Sequence, residues 1–255
     1  MNFTVCYPDR HSFNQVIKIK KLEDWAIEYI PLNATTGYWL AESPFYDNGF
    51  EIFKNLVNMF PVCSTNNDDQ CLDANPFGTI HLPEWVAKDL INLIKQFYFK
   101  NFISSNKNNQ VSEWGNLFRN DARPFKCFQI PHIDYLAGMI GNLWFTDHLP
   151  GTTGTEFYEY TGKMHGLLYD FQVDKAHPLF NEYQSTNYRL PEWENFTDAD
   201  RWGFKKIGMA PCQEGKMTLY TANTPHCPYI EKSVKFRWSH TFAFYHDLQS
   251  LKDIL

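Results

Sequence analysis

Beyond Gln110 the sequence reads as β-dominated, short strands with no alternating helices, and that run constrains the fold more than any other feature. Val234 to Tyr245 shows the pattern well: aromatic, period-two and uninterrupted, with Gly and Pro punctuating the intervals before it. Parallel strands need crossover helices, so a chain without them is steered to antiparallel layers. The expected fold is mainly β, a double-stranded β-helix or jelly roll rather than a βαβ sheet. An aromatic content of 17% supplies the large buried side chains that a sheet-rich body needs.

Residues 1–110 read as N-terminal strands and supporting helices, and 111–255 as the jelly-roll core, the two making a single structural unit. From Phe3 to about Leu40, short β-like runs such as Gln15 to Lys20 predict one or two strands that extend the main sheet. Apolar residues three and four apart predict a short helix over Phe50 to Phe60. A clearer helix runs from Glu84 to Phe99 behind Pro83, with Val86, Leu90, Leu93 and Phe97 on one face, suited to the outer face of a sheet. Ser64 to Asn75 and Ser104 to Gln110 read as polar connections. Thr161 to Glu214 is a long insertion rich in Tyr, Trp, Asn and Asp, and loops of that length commonly act as lids or binding loops.

His132-Ile133-Asp134 is the only His-x-Asp or His-x-Glu among nine histidines. In an extended strand residues i and i+2 share a face, so His132 and Asp134 offer a nitrogen and a carboxylate oxygen to one point. His226, in Thr224-Pro225-His226, would add a third ligand. Two imidazoles and one carboxylate leave the opposite coordination positions open, the arrangement associated with non-haem Fe(II) oxygenases. Arg237 lies eleven positions after His226 and Ser239 two further on, and alternation places both on one strand face. A buried guanidinium beside a hydroxyl is a fitting socket for a carboxylate.

These blocks, in this order, resemble the Fe(II)/2-oxoglutarate-dependent dioxygenases, with local similarity to the prolyl-4-hydroxylase-like branch. Pro131 to Tyr135, Asn142 to Asp147, and Gly154 to Tyr158 are similar to that branch's His-x-Asp strand, apolar strand and Gly-Gly-x-x-x-Phe turn. Gly215 to Tyr220 resembles the strand leading to the distal histidine. The resemblance covers about half the chain, from near Phe125 to His246. It implies Fe(II) held by His132, Asp134 and His226, with 2-oxoglutarate as co-substrate and O2 as oxidant, and with succinate and CO2 released as a C–H bond is hydroxylated. Arg237 and Ser239 would bind the far carboxylate, where prolyl hydroxylases usually have Lys. Asn142 would reach the metal end of 2-oxoglutarate, and Thr155 would line its pocket, unless they serve plain strand or turn roles. Related halogenases carry Ala or Gly at the carboxylate position, so Asp134 favours hydroxylation or desaturation. Tyr135, His148 and His165 are candidate substrate contacts.

A net charge of −6 gives no global basic footprint, so no nucleic-acid partner is expected. No run is apolar enough to span a membrane, and Met1 to Tyr7 lacks the features of a signal peptide, so a cytoplasmic protein is expected. The six cysteines show no C-x-x-C pairing, which fits reduced thiols there. The substrate would be a small molecule or an amino-acid residue. The alternatives are a prolyl or other protein hydroxylase, a zinc or manganese jelly-roll enzyme without 2-oxoglutarate, and a non-catalytic binding or structural protein.

Overall fold

The computed structural model describes residues 16–59, 63–64, 77–80, 84–102, 111–121, 127–134, 137–166, 168–186, 189–191, 200–231, 233–234 and 236–246. The hairpin β1 (Ile27–Pro31) and β2 (Gly37–Ala41) is followed by helix α1 (Gly49–Met59), strands β3 (Cys63–Ser64) and β4 (Phe77–Ile80), and helix α2 (Glu84–Phe102). Strands β5 (Val111–Asp121), β6 (Cys127–Gln129), β7 (Ala137–Trp144) and β8 (Thr153–Tyr160) come next, then β9 (Met164–His165) and β10 (Leu168–Tyr169). Helices α3 (Asp170–Val173) and α4 (Phe180–Thr186) and strand β11 (Arg189–Pro191) lead to β12 (Phe204–Pro211), β13 (Met217–Thr221), β14 (His226–Ile230) and β15 (Phe236–His246).

A major sheet runs β1-β2-β13-β7-β15-β5-β4-β3, and a minor sheet runs β12-β8-β14. All their pairings are antiparallel, so the fold is mainly β, as the lack of alternating helices beyond Gln110 predicts; the short helices α3 and α4 fall between β10 and β11. The N-terminal hairpin extends the major sheet. The run before it forms no strand among the described residues, and Ile19 makes only an isolated bridge to Phe45.

Alternation sorts the major sheet into two faces. Met139, Leu143, Met217, Leu219 and Phe242 point outward into a core shared with α1 and α2. The α2 stripe supplies Leu90, Ile91, Leu93, Ile94 and Phe97, all buried, and each contributes about 1.5–3 kcal/mol on leaving water. Val86, expected on the same stripe, has its side chain outside the described residues. Gly141 in β7 lets the helix approach, since a Cβ there would lie 2.8 Å from Ile94 Cδ1. Tyr38, Ile140, Tyr220 and Ala243 point inward and meet Phe157 and Ala210 of the minor sheet. Tyr38 stacks on Phe157 with centroids 5.6 Å apart.

The long insertion ends sooner than its composition suggests. Phe204–Pro211 is strand β12, paired with β8 along its length, so the connection between minor-sheet strands is 161–203. Polar and glycine residues in that strand hide its period. Described parts of the connection pack on the outer face of the minor sheet, where Tyr169, Phe171, Trp202 and Phe204 meet Tyr158 and Cys227. Its strand β11 pairs with β6 immediately ahead of Ile130. Gly154, expected in a turn, lies within β8, where a Cβ would come within 2.0 Å of the Ala210 carbonyl oxygen. No described helix is long and apolar enough to cross a membrane.

Candidate metal centre

Backbone pairing brings the remote histidines together. The His132 N–H donates to the His226 carbonyl at 3.0 Å, and the His226 N–H donates back at 2.9 Å. Opposed residues project to one side, and the two rings lie 4.7 Å apart. Asp134 follows two residues on, its N–H bonded to the Ala222 carbonyl at 3.0 Å. His226 Nε2 is 3.2 Å from one Asp134 oxygen, and His132 Nε2 is 3.8 Å from the other. Each residue offers one ligand atom, and the three atoms lie within 4.8 Å of one another.

The far side of each ring sets its tautomer. His132 Nδ1 is 3.2 Å from the Ile130 carbonyl, and His226 Nδ1 is 2.9 Å from the Thr224 carbonyl. A carbonyl only accepts, so each Nδ1 carries the hydrogen and each Nε2 keeps its lone pair for the Asp134 side. Metal-binding histidines are oriented in this way. Burial, with His226 nearby, lowers the His132 pKa to about 4, against smaller opposing effects of Asp134 and the Ile130 carbonyl. Burial alone would raise the Asp134 carboxyl; His226 and then His132 outweigh it and hold it below the usual carboxylate range. His132 is thus neutral and Asp134 ionised at neutral pH, the forms a cation requires. The Asp134 and His132 side chains are 36% and 30% exposed and that of His226 5%, so the face opens on the side of Asp134 and His132. Two imidazoles and a carboxylate fit a divalent first-row metal.

Arg237 and Ser239 are both buried on the inner face of β15. Arg237 crosses between the sheets: Nη1 donates to the Gly154 carbonyl at 2.8 Å, and the guanidinium sits 5.3 Å from the Trp144 ring centroid. Burial lowers its pKa, opposed by Cys212, Tyr220 and Cys227. Thr155 lies on the same inner face of β8 as Phe157, opposite Pro228 and two residues along from the His226 register. Asn142 stands one side chain back from the metal residues. Its amide donates to the Tyr220 hydroxyl at 3.4 Å and accepts from Thr241 at 2.7 Å. The Tyr220 ring is edge-on to His226 at 4.7 Å.

Tyr220, Trp144, Thr218 and Thr241 also face inward beside the predicted site residues, and no motif in the sequence marks them. Trp144 Nε1 donates to Thr218 Oγ1 at 2.9 Å, which fixes the ring beside Arg237. Their signal is in the alternation: the enclosed faces of β7, β13 and β15 carry hydroxyls, an amide and a guanidinium where a sealed sandwich would carry aliphatic residues. His165 is exposed in β9, and His148 lies on the loop after β7, its Nε2 3.2 Å from Thr146 Oγ1. Tyr135 lies outside the described residues.

No family model matches the sequence, and no curated protein does. Among solved structures, the chain is similar to HygX from Streptomyces hygroscopicus with nickel, 2-oxoglutarate and hygromycin B bound: TM-score 0.48, 10% identity, 84% of each chain covered. It is also similar to EvdO2 from Micromonospora carbonacea var. aurantiaca, with TM-score 0.47, 10% identity and coverage of 95% of this chain and 93% of that one. SnoN, the non-heme alpha ketoglutarate dependent epimerase from nogalamycin biosynthesis, aligns with TM-score 0.46 at 9% identity over 93% of this chain and 84% of its own.

Proposed function

We propose that this chain is an Fe(II)- and 2-oxoglutarate-dependent oxygenase that oxidises a C–H bond of a small molecule or an amino-acid residue, releasing succinate and CO2. The observation that carries the reading is a spacing. His226 is paired with Phe157 on β8, and Arg237 lands on the carbonyl of Gly154, three residues along the same strand. At about 3.3 Å per residue that is roughly 10 Å. Bond lengths of about 1.5 Å, a metal–oxygen distance of about 2 Å and a charge-assisted hydrogen bond of about 2.8 Å give an extended five-carbon diacid roughly the same reach.

Bound there, the metal and 2-oxoglutarate would supply O2 activation and the electrons it consumes. His132, Asp134 and His226 hold the ion on one face. Arg237 and Ser239 take the far carboxylate, Thr155 lines the path between, and Phe157 and Ile140 keep water from its apolar middle. Asp134 occupies the position a halide would need, which favours hydroxylation or desaturation. The likeness to the prolyl-4-hydroxylase-like branch rests on the order of sequence blocks, with Arg237 in place of its usual Lys. Substrate reaches the metal from the Asp134 side, and the 161–203 connection contributes to its selection through β11, paired just ahead of Ile130.

Fe(II)-loaded protein exposed to O2 should convert 2-oxoglutarate to succinate, and faster with the right member of a panel of amino acids, peptides and metabolites. Iron binding with no succinate under any of these conditions would sink the proposal.

A further inference from the structure

The polar row inside the sandwich has a direction. Thr241 and Asn142 are directly opposed on β15 and β7, and the Thr241 hydroxyl donates to Asn142 Oδ1 at 2.7 Å. With its oxygen engaged, the amide turns its NH2 toward Tyr220 and donates to the phenol oxygen at 3.4 Å. Tyr220 therefore meets Asn142 as an acceptor, and its own proton remains for another group. Among the described residues no acceptor for that proton is found. Tyr220 is 3% exposed, and a hydroxyl so buried is rarely left with its donor unused.

The ring's neighbours place Tyr220 beside the metal face. Tyr220 is wedged between His226 at 4.7 Å and Phe157 at 5.3 Å. Burial, and after it the Asp134 carboxylate, push its pKa above the usual phenol value. The group stays an O–H, and geometry puts it on the metal side of the sandwich, since its ring lies against His226. A 2-oxo diacid carries oxygens only at its ends, with methylenes between, so a donor nearer the metal meets its 2-oxo acid end.

We infer that the Tyr220 hydroxyl donates a hydrogen bond to an oxygen at the 2-oxo acid end of the co-substrate, and that Asn142 and Thr241 are positioning residues that hold Tyr220 in the donor role. This rests on the 2-oxoglutarate reading above. Tyr220 adds a neutral donor beside Asp134, so the bound oxygen gains a partner without a second cation competing for the carboxylate.

The test is anaerobic calorimetry on full-length protein, titrating Fe(II) and then 2-oxoglutarate, with the visible charge-transfer band as a second readout. Tyr220→Phe should bind Fe(II) like wild type but 2-oxoglutarate about tenfold more weakly, with the band shifted. Thr241→Val, which touches no ligand, frees the amide to turn and should weaken 2-oxoglutarate about threefold, while Thr241→Ser should restore it. The Tyr220→Phe/Thr241→Val double variant should bind no more weakly than Tyr220→Phe, because both changes remove one donor. Should Tyr220→Phe not fold, the Thr241→Val and Thr241→Ser pair carries the test. Wild-type binding of 2-oxoglutarate, with Tyr220→Phe equal to it or with the two losses multiplying, overturns the inference alone. Iron-loaded wild type that takes up no 2-oxoglutarate overturns the functional reading and this inference together.

Discussion

Removing Arg237 separates the proposed co-substrate socket from the proposed metal face. The guanidinium is 5% exposed, bonded to the Gly154 carbonyl and packed against Trp144. A hydrogen bond to a charged group contributes about 1.5–3 kcal/mol, so two N–H donors on one carboxylate contribute at least about 3 kcal/mol. That corresponds to a loss of roughly 100-fold or more in 2-oxoglutarate affinity for Arg237→Ala. Arg237→Lys keeps the charge, loses the fork, and should lose about tenfold. Losing the hydrogen bond to the Gly154 carbonyl and the packing on Trp144 also costs Arg237→Ala about 1–3 kcal/mol of fold stability, so a thermal melt must accompany the titration. The assay is 2-oxoglutarate binding to Fe(II)-loaded protein without O2, alongside a separate Fe(II) titration. The expected signature is near-normal iron affinity with a large 2-oxoglutarate defect. A folded Arg237→Ala variant that binds 2-oxoglutarate within twofold of wild type would refute the socket.

His132→Ala or Asp134→Ala should abolish succinate formation and weaken Fe(II) binding by about 100-fold or more, measured by metal titration; retained affinity would remove either residue from the ligand set. Ile94→Ala opens a cavity where α2 meets the major sheet and should cost about 2–5 kcal/mol in denaturant unfolding, while leaving 2-oxoglutarate affinity unchanged. His240 is fully buried against Phe242 and Phe53, with no hydrogen-bond partner for either ring nitrogen among the described residues, and burial holds its pKa at about 3. The unfolded chain, with His near 6.5, binds the proton first, so stability is intact above about pH 6.5 and falls as pH drops toward 3. By pH 5 the loss from this group is about 2 kcal/mol. His240→Leu should flatten that part of the stability–pH curve, and an unchanged slope would contradict it.

The sequence disclosed what alternation and spacing encode. The period of β15 puts Arg237 and Ser239 on one face, and the α2 stripe faces the sheet as its apolar spacing requires. His-x-Asp presents both side chains together because a strand repeats every two residues. What spacing does not encode is which strands become neighbours. The bridge between His132 and His226 joins segments with no local signal for each other. Strand β12 was illegible because Lys205, Lys206 and Gly208 mask its period, so it merged with the connection before it. Tyr220 and Trp144 look like core aromatics in sequence, and only their inward face beside His226 and Arg237 distinguishes them. Asn142 was visible as a polar residue in an apolar strand, but not the Thr241 hydroxyl that fixes its orientation.

His132, Asp134 and His226 are proposed to hold one ferrous ion next to a socket for 2-oxoglutarate. The most direct measurement is the visible absorption of protein titrated with Fe(II) and then 2-oxoglutarate in the absence of O2. A weak charge-transfer band should grow to one equivalent in wild type, be absent in Asp134→Ala, and need far more 2-oxoglutarate in Arg237→Ala. Stoichiometric iron binding with no such band in wild type would contradict the account.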